Sequence, residues 1–578
     1  MKTPEIMINI ERLDDLPLLY GFLDRMGIQS SIDAVIKPHG NWSGLSMGWI
    51  ITIWLIHIVS AYNHRLDRVQ DWVAVHLNSL RWLTGQKITE LDFTDDRLAI
   101  CLRELHVTSS WRHIESLLGN RLLRVYGLKP QKTVRFDATV GSVYHDPQQH
   151  KLFQVGKTKK GIYETQFKLM LSSLDPLGLP LALDVVPGNR ADDPLYVPCY
   201  QRVKDIVKED GLLNVGDSKM SAISTRAAIV AGNDYYLTPL PHEKSEPALL
   251  DALLVQFKAN QEKLTAVFLP DDVPDDGSDP DPKLAIAEGF EVSRNHSEML
   301  GQKRVSWEER CLVVRSFNYQ RTMQAGLKRR LAKAEKALRQ LTPARGRGKR
   351  QIDNEENLKK AIARLEKKYK VAGLLTVSYT QDINERKIRA YGDRPARIER
   401  KIRFQVQVER NQEAIEWALF KAGWRIYLTN APQEELGLVQ AVLAYREQYI
   451  EENIFRRLKG KMLSITPLYL QRDDHAQGLF HLLSLAARVL ALGDYTARRN
   501  LAEQKEELSG IYAGNLKRST PRPTMERMLE VFDNINLSIV HLAGEVSCQV
   551  TPLTAVQERI LSLLGLSTTL YTNWTAIA

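Results

Sequence analysis

The chain has 578 residues, more than one ordinary domain holds, and its 44% apolar and 26% charged content is that of a soluble, globular protein of three or four domains. A net charge of +10 favours a polyanionic partner, nucleic acid first. Cys101, Cys199, Cys311 and Cys548 are far apart and form no CxxC pair, which excludes a zinc knuckle and a disulfide framework and fits a reducing cytoplasm.

In chain order, residues 1–128 predict a helical N-terminal domain, with apolar residues at helical spacing in 16–26, 47–60 and 98–118. No charged-then-apolar leader opens the chain, and the apolar stretch 47–60 is too short to span a bilayer, so it predicts a buried core helix. His64, Arg65, Arg68 and the segment 78–87 offer basic side chains to DNA phosphates, though an ordinary solvated face explains them equally well and no recognition helix is named.

From about residue 131 the pattern changes. Segments 133–137, 167–174, 179–186, 212–216 and 234–240 read as short strands, with helices over 193–208 and 221–231. Three strands followed by alternating helix and strand is the order expected of an α/β RNase H-like core, first part 129–241, in which ligands gather at the carboxyl ends of strands. Asp137 and Asp217 fall at two such ends.

The chain then spends 235 positions between Asp217 and Glu452, far more than a connection needs, which predicts an inserted β-rich domain over 242–422. It holds an acidic, Pro-rich loop at 270–283 that lacks the EF-hand spacing, and strand-like patches at 305–316 and 373–379. Between them Leu327, Leu331, Leu338 and Leu341, then Leu358, Ile362 and Leu365, form two apolar seams broken at 342–350, the pattern of a helical hairpin. Lys328, Arg329 and Arg330 on its first helix, and Arg345, Arg347, Lys349 and Arg350 at its tip, are candidates to track a DNA backbone. The tip is the stronger of the two.

Segment 424–430 reads as the last core strand, and 434–459 as helices returning Glu452 to the aspartates, which gives the second part of the core over 423–500. Residues 478–492 predict an apolar core helix. The C-terminal region 501–578 reads as helical and is a candidate dimerisation surface.

Asp137, Asp217 and Glu452 together suggest a two-metal phosphodiester site. Mg²⁺ is a hard cation that prefers carboxylate and phosphate oxygens, and two such ions need only a few protein carboxylates to hold them. Glu452 is preferred to its neighbour Glu451 because it lies seven residues before Lys459, two helical turns on one face.

Here the residues resemble a known family. The layout is similar to the cut-and-paste DDE transposases of bacterial insertion sequences, in the branch whose third acidic residue lies in a Tyr-x₂-Arg-x₃-Glu-x₆-Lys signature, with a β insertion domain ahead of it. Tyr445, Glu452 and Lys459 match that spacing, and Gln448 stands where the signature has Arg. Segments 135–139, 174–178, 188–194, 215–220 and 455–459 are similar to this branch as well.

The resemblance implies a DNA transposase in which Asp137, Asp217 and Glu452 are catalytic and hold two Mg²⁺, with Mn²⁺ as substitute. Tyr445 and Lys459 would position DNA phosphates. It implies double-stranded DNA as partner, both terminal inverted repeats and target. It also implies a homodimer in the DNA complex, no membrane, and a bacterial cytoplasmic, nucleoid-associated location. In the family a 5′ phosphate is held near a hairpinned end and a base is flipped onto an aromatic ring. Gln448 cannot supply the Arg charge for that step, and Trp417 and Trp424 read first as core tryptophans. Two alternatives stand beside the transposase: a structure-selective RNase H-like nuclease, and a catalytically decayed DNA-binding protein.

Overall fold

The computed structural model describes residues 6–574 except 130, 159–160, 242–245, 261–262, 275, 344–351, 391, 393–394 and 543–544. It is a mixed α/β protein with several sheets and many helices. Two compact units divide it: residues 1–238, 295–308 and 444–578 form the first, and 239–294 with 309–443 the second.

In the first unit the long strand Thr133–Ser142 is central. It pairs antiparallel with Tyr163–Leu174, which pairs antiparallel with Gln154–Lys157 and Leu179–Pro187. On its other side it pairs parallel with Leu213–Gly216, which pairs parallel with Tyr235–Pro239. Strand Tyr163–Leu174 is almost continuously buried from Gln166 onward, because helices cover its sheet. The helices between the parallel strands are Tyr196–Val207 and Ile223–Ala231.

Helix Asp473–Gln504 runs through this unit. It is long and apolar enough to cross a membrane, and 94% of that apolar stretch is buried against its neighbours. Helix Met47–Ala61 is likewise buried. A buried ionic cluster ties three helices to the sheet. Glu115, from helix Thr108–Val125, accepts from Arg488 at 2.9 Å and from the Leu183 N–H at 3.1 Å, and it pairs with Arg202. Burial lowers both guanidinium pKa values to about 9.

The termini correct one expectation. Both end regions are expected to be helical, yet Ile6–Arg12 pairs with Asn536–Leu542, which pairs with Glu545–Val550, in a three-stranded antiparallel sheet. The reason is long-range: a seven-residue strand is stabilised by a partner some 530 positions away, while Glu11 accepts the Asn78 and Ser79 N–H groups at the start of helix Leu77–Thr84. The helical reading of 98–118 also resolves into two helices, Asp95–His106 and Thr108–Val125.

The second unit contains strand Thr265–Val267, residues 287–294 of strand Ala287–Leu300, residues 309–316 of strand Lys303–Ser316, and strand Trp424–Thr429, which pairs antiparallel with Lys303–Ser316 from Arg310↔Thr429 to Arg315↔Trp424. A helical hairpin follows, Phe317–Arg339 and Glu355–Tyr369, then a two-stranded ribbon, Leu375–Ile388 with Arg397–Arg410. The leucine seams form one core with the ribbon: Leu327, Leu331, Leu338 and Leu358 pack with Phe404 and Val406. Trp424 lies buried among Phe257, Phe290 and Phe420, as a core tryptophan does.

Candidate active site

The parallel register of the central strand with Leu213–Gly216 ends at Phe136↔Gly216. Asp137 and Asp217 are therefore the next residues on two neighbouring chains, whose backbones lie roughly 5 Å apart in a sheet. Asp217 is fixed on every side. Its Oδ1 accepts from the Tyr196 hydroxyl at 2.7 Å and from the Lys219 N–H at 2.8 Å, while its carbonyl accepts from the Thr238 hydroxyl at 2.7 Å. Gly216 makes the first contact possible, since a Cβ there would meet Tyr196 at 3.3 Å and the Met220 sulfur at 2.7 Å. Asp137 accepts from the Ala138 N–H at 2.8 Å.

Strand alternation puts Arg135, Asp137 and Thr139 on one face of the central strand. Helix Tyr449–Lys459, which carries Glu452, is fastened along that face at both ends. At one end the buried Arg135 donates to the Ala444 carbonyl at 2.7 Å and pairs with Glu447 at 3.5 Å; at the other the Lys459 ammonium reaches the Thr139 hydroxyl at 2.5 Å. Glu452 is five residues beyond Glu447 and seven before Lys459, so it lies between the two fastenings as Asp137 lies between Arg135 and Thr139. Its side chain is exposed. Ile450 and Ile454 seat the same helix on the turn at Gly178, whose φ of +65° and 3.0 Å approach to Ile450 both suit glycine. Arg457 anchors its back to Asp494 and Glu526, each at 2.8 Å.

Arg135 also donates to Asp175 at 2.7 Å. Burial raises the Asp175 pKa from 3.8 to about 6, against the lowering pull of Arg135. Between strand Leu179–Pro187 and helix Tyr196–Val207, the Arg190 carbonyl accepts from Lys168 at 2.5 Å, and Lys168 also donates to the Asp192 carboxylate. Of the five short segments singled out in the sequence, 135–139 lies on the central strand, 174–178, 215–220 and 455–459 meet it, and 188–194 is held by Lys168 of the neighbouring strand. Tyr196, Lys168 and Thr139 complete the arrangement, and of these only Thr139 lies inside one of those segments.

Two expectations need restating. Tyr445 is on helix Leu438–Arg446, which a turn at 447–448 separates from the Glu452 helix, so Tyr445 and Glu452 do not share one continuous helical face. At this break the Ala444 carbonyl accepts from Arg135. Arg345, Arg347, Lys349 and Arg350 lie outside the described residues.

The donor set is made of carboxylates, the ligands that Mg²⁺ and Mn²⁺ prefer. Asp137 and Asp217 are brought side by side; Glu452 is brought over the same face without closing a three-ligand cluster. Among the described residues no group of three or more His, Cys, Asp or Glu side chains is near enough to hold a metal ion.

Residues 8–116 match the family described as Domain of unknown function (DUF4277). No curated protein matches the chain. Among solved structures it has a likeness to the cryo-EM structure of a piggyBac transposase synaptic complex with hairpin DNA, at 9% identity and a TM-score of 0.32, over 86% of this chain and 79% of that one. A likeness at that level carries no argument about this chain, and the reading below rests on its residues.

Proposed function

We propose that the chain is a DNA transposase with an RNase H-like core, in which Asp137, Asp217 and Glu452 form the reacting site. The observation that supports this reading most is the first one: two carboxylates just past the last parallel pair of two adjacent strands, with a helix carrying a third laid along the face of Asp137. In the reaction proposed, water attacks a phosphodiester at the element end and expels the 3′ oxygen as a hydroxyl. That hydroxyl then attacks a target phosphodiester, displacing its 3′ oxygen, so that one bond forms for each that breaks.

Mg²⁺ or Mn²⁺ held by the three carboxylates would supply charge stabilisation for the attacking and leaving oxygens. The chain's own residues do the rest. Tyr196 and the Lys219 N–H hold the Asp217 carboxylate in one orientation. Lys459, at the rim of the same face, offers a cation to a phosphate next to the scissile bond. The helical N-terminal region is proposed to bind element ends and the C-terminal region to pair two copies.

The test is incubation of the purified chain with DNA carrying its flanking inverted repeats, a plasmid target and Mn²⁺, comparing wild type with Asp217→Asn. Joined products that vanish in the variant are expected. Cleavage without joining would replace the transposase by a nuclease, and binding without cleavage by either protein would replace it by a DNA-binding protein. Thermal unfolding gives a second readout: Mn²⁺ should raise the Tm of the wild type and raise it less in Asp217→Asn.

A further inference from the structure

The ribbon of the second unit has two unlike halves. In the inner half one face is buried: Leu375, Phe404, Val406 and Val408 pack on the helical hairpin, Tyr379 donates to Glu355 at 2.8 Å, and Arg410 pairs with Glu335 at 2.5 Å. Beyond the Gln381↔Phe404 pair no described side chain is buried. The outer half, Asp382↔Arg403 to Ile388↔Arg397, is seven residue pairs of regular antiparallel ladder, so it extends about 24 Å at ~3.4 Å per residue.

Its charge is concentrated. Residues 382–403 hold eight Lys and Arg against four Asp and Glu, a net +4 out of the chain's +10. The pairing register spreads them over both faces. On one lie Asp382, Asn384, Arg386, Ile388, Arg397, Lys401 and Arg403, with Glu399 opposite Arg386 in the register; the other carries Ile383, Lys387, Ile398, Ile402 and the Glu385–Arg400 ion pair. Counted by the register, the two faces carry +2 and +1, so the positive excess runs round the whole ladder.

We propose that this outer half is a DNA-binding arm that lies in the major groove of duplex DNA, with Arg386, Arg397, Lys401 and Arg403 towards the bases and phosphates. The proposal rests on the reading of DNA as the substrate. The dimensions match: a two-stranded ribbon fits a major groove about 12 Å wide, and it does not fit a minor groove of about 6 Å. The chemistry matches too, because Arg pairs with guanine and Asn with adenine on the major-groove edge, while the remaining cations meet phosphates. The inner half, packed on two helices, supplies the rigid base that such an arm requires.

The experiment measures binding of the full chain to a labelled random-sequence 30-base-pair duplex, without divalent metal, across a salt series. Wild type is compared with Arg386→Gln/Arg397→Gln/Arg403→Gln and with a control, Lys359→Gln/Lys360→Gln/Lys367→Gln, which removes equal charge from exposed helix positions of the same unit. The arm variant should flatten the slope of log K against log salt by about 2 to 3, and the control should not. Wild type should also protect guanine N7 from dimethyl sulfate, and the arm variant should not. An unchanged slope, or an equal loss in the control, overturns the proposal. So does loss of self-association in the arm variant with DNA binding intact, which would make the ribbon a protein-docking surface. Neither readout requires strand cleavage, so failure of the Asp217→Asn comparison and failure of the arm remain distinguishable.

Discussion

Replacing Arg135 by Met should cost stability in a way that depends on pH. The Arg135 side chain is 1% exposed and its partner Asp175 7%, so the pair is desolvated, whereas Glu447 is 51% exposed and contributes little. Removing one partner of a buried pair typically costs about 3 to 5 kcal/mol, because the other charge is left uncompensated. For a unit of this size that corresponds to a Tm drop of about 4 to 6 °C. The sign with pH follows from Asp175. Its folded pKa, about 6, is already above its ordinary value of 3.8, so the stability linked to its protonation is full below that ordinary value and is lost as pH rises through 6. Without Arg135 the lowering pull is gone and the carboxyl titrates higher still. The variant should therefore show its largest deficit near pH 7.5 and regain stability as pH falls towards 5.5. Thermal unfolding by circular dichroism across that range is the assay. Arg135→Met/Asp175→Leu, an apolar replacement of both partners, should recover most of the loss. A variant with wild-type Tm at pH 7.5, or a deficit that does not change with pH, would refute the assignment of this pair as the buried link beneath the Glu452 helix.

Two further changes read other parts of the structure. Tyr196→Phe removes the hydroxyl that holds Asp217 and leaves the ring in place; a hydrogen bond to a charged group is worth about 1.5 to 3 kcal/mol, so Tm should fall by about 2 to 4 °C while strand joining falls roughly tenfold or more, and full activity would dismiss Tyr196 as a positioning residue. Glu115→Leu leaves Arg202 and Arg488 buried without their carboxylate. It should lower stability by about 3 to 5 kcal/mol in thermal unfolding, and a neutral result would mean that the two guanidiniums find other acceptors.

The strands around the candidate site were legible because each is marked locally. Thr133–Ser142, Leu179–Pro187 and Leu213–Gly216 are short apolar runs punctuated by Asp, Pro or Gly, and their expected positions differ from the observed ones mainly at the ends. The hairpin seams were legible for the same reason, since Leu327, Leu331 and Leu338 keep one helical face. Strand Ile6–Arg12 was not, because nothing near it in sequence indicates that its partner is Asn536–Leu542. The ribbon was seen only in its inner, apolar part at 373–379; the outer strands read as charged loop because their stability comes from the cross-strand ladder and not from an apolar face.

The site itself divides along the same line. Asp217 could be named because it follows a strand, Asp137 because it ends the run 133–137, although the strand itself continues to Ser142, and Glu452 because its spacing to Lys459 is a helical period. What spacing could not supply is the set of contacts that relates those elements: Tyr196 to Asp217, Arg135 to Asp175 and Ala444, and Lys459 to Thr139. Each joins residues from 21 to 320 positions apart. Arg135 shows why this matters for the signature. Read as a string, the segment 434–459 predicts helices with Glu452 and Lys459 on one face. In the fold those two share a helix, while Tyr445 lies on the helix before it, across a turn beside which the guanidinium of the central strand donates to the Ala444 carbonyl. The conserved geometry of a helix therefore holds only from Glu452 to Lys459, and that half of the signature is the part that faces the strand bearing Asp137.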